Sequence, residues 1–199
     1  MEFSKVVSQR RMVRTYVDQP VDRSVVVRIL ERGRRGPSAG FSQGVAFVVL
    51  EGPEETGRFW EAASHGEEEG WPEDGVRRAP VLVVPMASKT AYLDRYAEED
   101  KAWADRDEGR WPVPYWTVDA AFASMLILLA AVDEGLGALF FGLEAGGYER
   151  LGGAFGIPGE WEPIGAIAIG HPAPADPVRS SRDTRPRKPP DEVVHWGRW

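Results

Sequence analysis

Cysteine is absent from all 199 residues, which excludes disulfides, thiolate zinc sites and thiol chemistry. Histidine is scarce: His65, His171 and His195 are scattered at no metal-ligand spacing, so no metal site is expected. There is no glycine-rich phosphate loop of the GxGxxG or Walker type, which weakens a doubly wound nucleotide fold. No internal repeat is visible. The opening residues, MEFSKVVSQRR, lack the long apolar run of a signal peptide, and the cytoplasm is the expected compartment. The longest apolar stretch, 120–132, is broken by Ser124 and reads as too short to span a bilayer, so no membrane partner is expected.

What is present is an acidic chain with basic ends. Hydrophobic residues make up 43% and charged residues 28%, a soluble globular composition for which one domain over 1–199 is expected. The formal charge of −7 and a pI near 5.1 argue against a nucleic-acid partner. Yet the start carries Arg10-Arg11-Met12-Val13-Arg14, and residues 179–188 read RSSRDTRPRK, five cations against Asp183. Arginine grips phosphate through a planar fork of donors, so two such clusters suit one phosphate group closed between them. A phosphorylated cofactor in a small acidic enzyme calls for a clamp of this kind.

Hydrophobic spacing predicts a short helix over 2–9 and a second after Pro20, capped by Asp22 or Ser24 and stopped by Gly36-Pro37. A loop of small residues, 37–44, leads into a strand over 45–51, and Pro53 opens a helix running to Ala63. The run 79–86 reads as a buried strand and 91–107 as a helix. Over 117–134, Val118, Phe122, Met125, Leu129 and Val132 recur at helical spacing. This helix is apolar nearly all round, so it lies in the core or at a dimer interface. A strand over 136–143, a short helix over 148–155 and a strand over 163–170 follow. The proline-rich remainder, 171–199, reads as an extended arm whose Trp196 and Trp199 want a partner in this chain or a second one. The pattern fits an α+β sheet with a long central helix.

The order of these features carries a family resemblance. An arginine pair with a third arginine precedes PSAGFSQ before a strand. A long apolar helix then ends in Glu134-Gly135-Leu136-Gly137, and IPGEWEPIGAIAIGHP and RPRKPPDEVVHW close the chain. Together they resemble the FMN-dependent nitroreductase family over nearly the whole chain. The resemblance implies an α+β fold, with a mixed or antiparallel central sheet flanked by helices, forming an obligate homodimer. Two FMN molecules would lie in interface clefts, each touched by both subunits. By the same resemblance the phosphate is held by Arg10, Arg11 and Arg14 with Arg185 and Arg187, and Met12 between them belongs to the cofactor-binding segment. Pro37, Ser38, Ala39, Gly40 and Gln43 lie beside the ring and ribityl chain, and the backbone at Phe140, Phe141 and Gly142 approaches the reactive ring edge.

Family members commonly carry asparagine where this chain has Phe41, and Pro-Trp where it has Gly44-Val45. Phe41 cannot make the hydrogen bond that an asparagine amide makes to the flavin. Either it stacks near the ring or the flavin is held differently. The implied activity is NAD(P)H oxidation coupled to a nitroaromatic, quinone or similar flat acceptor, with no catalytic side chain nominated. Alternatives within the fold are another flavin or a deazaflavin coenzyme, or a non-catalytic flavin-binding protein. The segment 64–116 falls where the family varies most, and its Tyr92, Tyr96, Trp103 and Trp111 either form a substrate lid or tack the excursion to the body.

Overall fold

The run VLVVPMA forms β2, Val81–Ala87, with all of its residues buried. In the computed structural model, which describes residues 1–63, 75–144, 146–174 and 184–199, this strand is the centre of an antiparallel sheet. β1, Val45–Glu51, β3, Gly137–Phe141, β4, Glu162–Pro163, and β5, Ala166–Gly170, complete it in the order β1-β2-β5-β3, with β4 pairing β2 off that path. Pro85 sits in this central strand because its missing N–H falls at a gap. β5 pairs with residues 81–83 and β4 with 86–87, and the chain between them bends at Gly165, φ +150°.

Alternate residues of the sheet feed two cores, as the two-residue period of strands requires. Leu82, Val84, Met86, Leu139 and Ala168 face one side, packing with Phe59, Trp60 and Leu151. Those come from α3, Gly52–Ala63, and α6, Gly147–Phe155. Val81, Val83, Ala138, Ile167 and Ile169 face the other side, against Val26 and Ile29 of α2, Arg23–Gly33, and Ile127 and Ala131 of α5, Tyr115–Asp133. The Asp22 carboxylate caps α2 by accepting from Ser24 N–H at 2.7 Å. α1, Phe3–Gln9, precedes these elements, and α4, Lys89–Ala97, follows β2.

Two expectations change. The helix expected over 91–107 ends at Ala97, because the following segment passes through left-handed backbone at Ala102 (φ +59°) and Arg106 (φ +53°). α5 runs for 19 residues and is long and apolar enough to cross a membrane, although half of its most apolar stretch is buried inside the protein. The stripe Val118, Phe122, Met125, Leu129 and Val132 does not face this chain's core: Phe122 is 48% and Met125 45% exposed, and small residues such as Ala120, Ala123 and Ala131 pack inward instead. The arm over 184–199 is exposed throughout, with one short turn at Pro190–Glu192.

Beyond the C-terminal end of α5, Glu134 locks α5 to α2. Its carboxylate accepts from Arg28 Nη2 at 2.8 Å and Arg32 Nη1 at 2.6 Å, which lowers its pKa from 4.5 to about 2. A carboxyl depressed in the folded state stabilises above its unfolded pKa, and that contribution is lost as pH falls through the folded one. Urea denaturation should therefore show stability declining between pH 4.5 and about 2. Glu134→Gln should flatten that limb and cost about 1 kcal/mol at neutral pH. An unchanged acid limb in the variant would assign it to other carboxylates.

Candidate functional site

The arginine motif is an added strand edge. After α1, Val13 N–H donates to Ala138 O at 3.0 Å, and Met12 bridges Ala138 in parallel, so residues 10–15 lie along the outer side of β3. Tyr16, 1% exposed, fixes the segment by donating its hydroxyl to Val13 O at 2.9 Å and lying 3.2 Å from Ala168 O. Arg10 closes α1 through its N–H to Val6 O, and its Nη1 is a buried atom with no hydrogen-bond partner among the described residues. A guanidinium nitrogen out of water without an acceptor is costly, and an anion at this place would relieve it. Arg14 is half-buried, with Nη1 donating to Met12 O at 3.3 Å, and Arg11 is exposed.

β3 ends at the same edge. The Phe141 ring is core, stacked on Trp60 at 5.5 Å and meeting Phe59 edge-on at 6.2 Å. Phe140 packs with the opposite core, and Gly142 is exposed just past the strand. Any ligand contact here falls to backbone, since the Phe141 side chain is already used.

The small-residue loop is at the other side of the sheet. It enters β1, whereas the arginine segment borders β3, and β2 and β5 lie between. Four strand spacings separate β1 from the arginine segment, about 19 Å. Ala39–Phe41 forms a single tight turn, held by Phe41 N–H to Ser38 O at 2.8 Å and Ser42 Oγ to Ala39 O at 2.6 Å. Gln43 N–H donates to Ser38 Oγ at 2.9 Å. Three residues here adopt left-handed backbone: Gly40 at φ +61°, Phe41 at +56° and Gln43 at +53°. For a bulky residue that conformation is an outlier. The result is a Phe41 side chain that is 73% exposed at the mouth of a cavity of about 240 Å³, shared with Pro37, Ser38, Gln43 and Asp119.

Asp119 was not anticipated from the sequence. It is 3% exposed, and its Oδ2 accepts from Ala39 N–H at 2.8 Å and from the Tyr92 hydroxyl at 2.7 Å. An acid in the first half of a largely apolar helix was the available signal. Tyr92 is fully buried, and burial pushes its phenol well above the ordinary value, opposed in part by a hydrogen bond with Ser38. Its ring therefore offers no lid surface.

Tyr96 lies 4.9 Å from Trp103 and 4.6 Å from Trp111, and those two lie 5.6 Å apart. Ion pairs Arg106–Asp94 and Arg110–Asp105, each 2.6 Å, surround them. Packing on one another favours the tacking role for these aromatics. Trp71 lies outside the described residues.

Arg185 and Arg187 lie on the arm at 184–199. Both are exposed, and neither forms a hydrogen bond or ion pair among the described residues. Among the described residues no group of histidines and carboxylates is suited to a metal ion.

The family model described as Nitroreductase family matches residues 7–171. An FMN reductase [NAD(P)H] of Bacillus subtilis strain 168 is 26% identical over 194 residues, covering 98% of this chain and 73% of its own. Among solved structures, a nitroreductase family protein of Clostridium difficile 630 superposes with a TM-score of 0.74 at 18% identity, over all of both chains. NfrA1 of B. megaterium superposes at 0.76 and 19% identity, over all of this chain and 75% of that one. At such identities the structural likeness speaks for the fold.

The left-handed Phe41 stores strain that asparagine tolerates better. Phe41→Asn should raise the stability of the ligand-free protein by about 1 kcal/mol in urea denaturation. A loss of stability would show that the phenyl ring is held by contacts outweighing the backbone cost.

Proposed function

Because the chain belongs to the nitroreductase family, we propose that it is an FMN-dependent NAD(P)H oxidoreductase serving a nitroaromatic, quinone or similar flat acceptor. It acts as a cytoplasmic homodimer of single-domain chains. The observation that carries the reading is the buried, unpaired Nη1 of Arg10, at the edge the resemblance assigns to the phosphate. When bound, FMN supplies the electron chemistry between nicotinamide and acceptor. The chain supplies binding and shape. Arg10 and Arg14 hold the phosphate by charge-assisted hydrogen bonds, and Ser38, Ala39 and Gly40 admit a flat ring against backbone.

Two features support the dimer. The arginine edge and the small-residue loop lie on opposite sides of the sheet, so a ligand touched by both needs a second chain. The outward stripe with Phe122 and Met125, together with the exposed arm, supplies apolar surface for that chain to cover. In the dimer Arg185 and Arg187 then reach the partner's phosphate. Phe41 favours a second reading, in which the same cleft takes another flavin or a deazaflavin. Thermal-shift titration of FMN, FAD and a deazaflavin separates the two by which ligand stabilises most.

FMN should bind to give a yellow protein whose flavin band bleaches on addition of NADPH. Arg10→Ala should weaken FMN binding by about tenfold to a hundredfold in a fluorescence titration, the worth of one or two charge-assisted hydrogen bonds. A protein that stays colourless with FMN overturns the reading. Phe122→Glu should sediment as a monomer at concentrations where the wild type is a dimer, and should bind FMN more weakly. A dimeric variant would move the interface elsewhere.

A further inference from the structure

We infer that Asp119 and Tyr92 are positioning residues for the flavin-contacting loop, holding residues 38–43 in a strained shape that this loop does not adopt unaided. The inference rests on the proposed function for what the loop contacts, while the brace itself stands on geometry.

The loop is left-handed at Gly40, Phe41 and Gln43, a run that relaxes unless its surroundings fix it. Two tethers from outside the loop do so. One is the Asp119 carboxylate, which receives Ala39 N–H at 2.8 Å and the Tyr92 hydroxyl at 2.7 Å on the same oxygen. The other is Arg95, whose Nε donates to Gly40 O at 2.8 Å while its Nη1 and Nη2 are held by Asp100 at 2.6 and 2.8 Å. The tethers grip the peptide units on either side of the Ala39–Gly40 bond, and α5 and α4 are thereby joined through the turn.

Two glycines are matched to this arrangement. A Cβ on Gly44 would lie 2.6 Å from Tyr92 Cε2 and 2.9 Å from Ser88 O. Residue 44 must therefore be glycine for the phenol to cross the start of β1 and reach Asp119. A Cβ on Gly40 would lie 2.6 Å from Tyr96 Cε2, so the next ring of α4 closes over the turn as well. The glycine at 44 is thus accounted for by the tyrosine beside it. Tyr92 is fully buried and Asp119 3% exposed, and the effect of both passes through the Ala39 amide that Asp119 holds.

The test uses the full chain and two readouts: hydrogen exchange of the Ala39 amide in ligand-free protein, and the FMN dissociation constant. Asp119→Ala and Tyr92→Phe should each speed Ala39 exchange and weaken FMN binding by about tenfold, with the amides of β2 unaffected. Asp119→Asn keeps an acceptor oxygen for both donors and should restore wild-type values within about threefold. If Asp119→Ala does not fold, Tyr92→Phe decides by the same readouts. Ala39 exchange that rises only in step with the amides of β2 would mean a general structural role and overturn the inference. So would unchanged Ala39 exchange. Wild-type protein that fails to bind FMN would remove the proposed function, and the exchange measurement would still decide the brace.

Discussion

The Asp119 carboxylate stands where a helix, a turn and a second helix meet, and the geometry of the cleft depends on it. α5 supplies the charge, Ala39 and Tyr92 supply the donors, and all three are buried or half-buried. In a low-dielectric interior such bonds are strong when complete and costly when broken. The strained backbone at Phe41 and Gln43 is therefore offset elsewhere, by a helix whose remaining surface is nearly all apolar. Removing the acid would leave Arg95 as the one remaining tether described from outside the turn.

The sheet order imposes a second constraint. Antiparallel pairing in the order β1-β2-β5-β3 sets the arginine segment against one border and the small-residue loop at the other. On the proposed function, a single chain is half of two sites. The outward-facing Phe122 and Met125 and the unpacked arm are then surfaces waiting for a copy of the same molecule.

Much of this architecture can be read from the order of residues, because it depends on local patterns. The β1 run Val45–Glu51, the Asp22 cap of α2 and the fully apolar β2 have the bounds or partners that spacing predicts, to within a residue or two. The helix expected over 91–107 failed where charge mixing imitates a helix surface. Arg106 and Arg110 instead pair with acids across a looped segment packed around Trp103 and Trp111. The stripe on α5 was visible, but its direction was not, since inward and outward apolar faces look alike until the sheet is in place. The Asp119 brace was not legible either: its partners lie 80 and 27 residues away, and one of them is a backbone amide. The arginine motif was recognised by pattern, yet the buried, unpaired Nη1 of Arg10 emerged only from the folded chain.

The arm has an optical consequence. Trp196 and Trp199 are 90% and 99% exposed, whereas Trp60 and Trp116 are each 8% exposed. Indole emission moves to shorter wavelength when water is excluded, so the terminal pair emits at longer wavelength than Trp60 and Trp116. The terminal pair lies on the exposed arm. A blue shift of the long-wavelength component on raising protein concentration would register the arm settling on its neighbour, with no label attached.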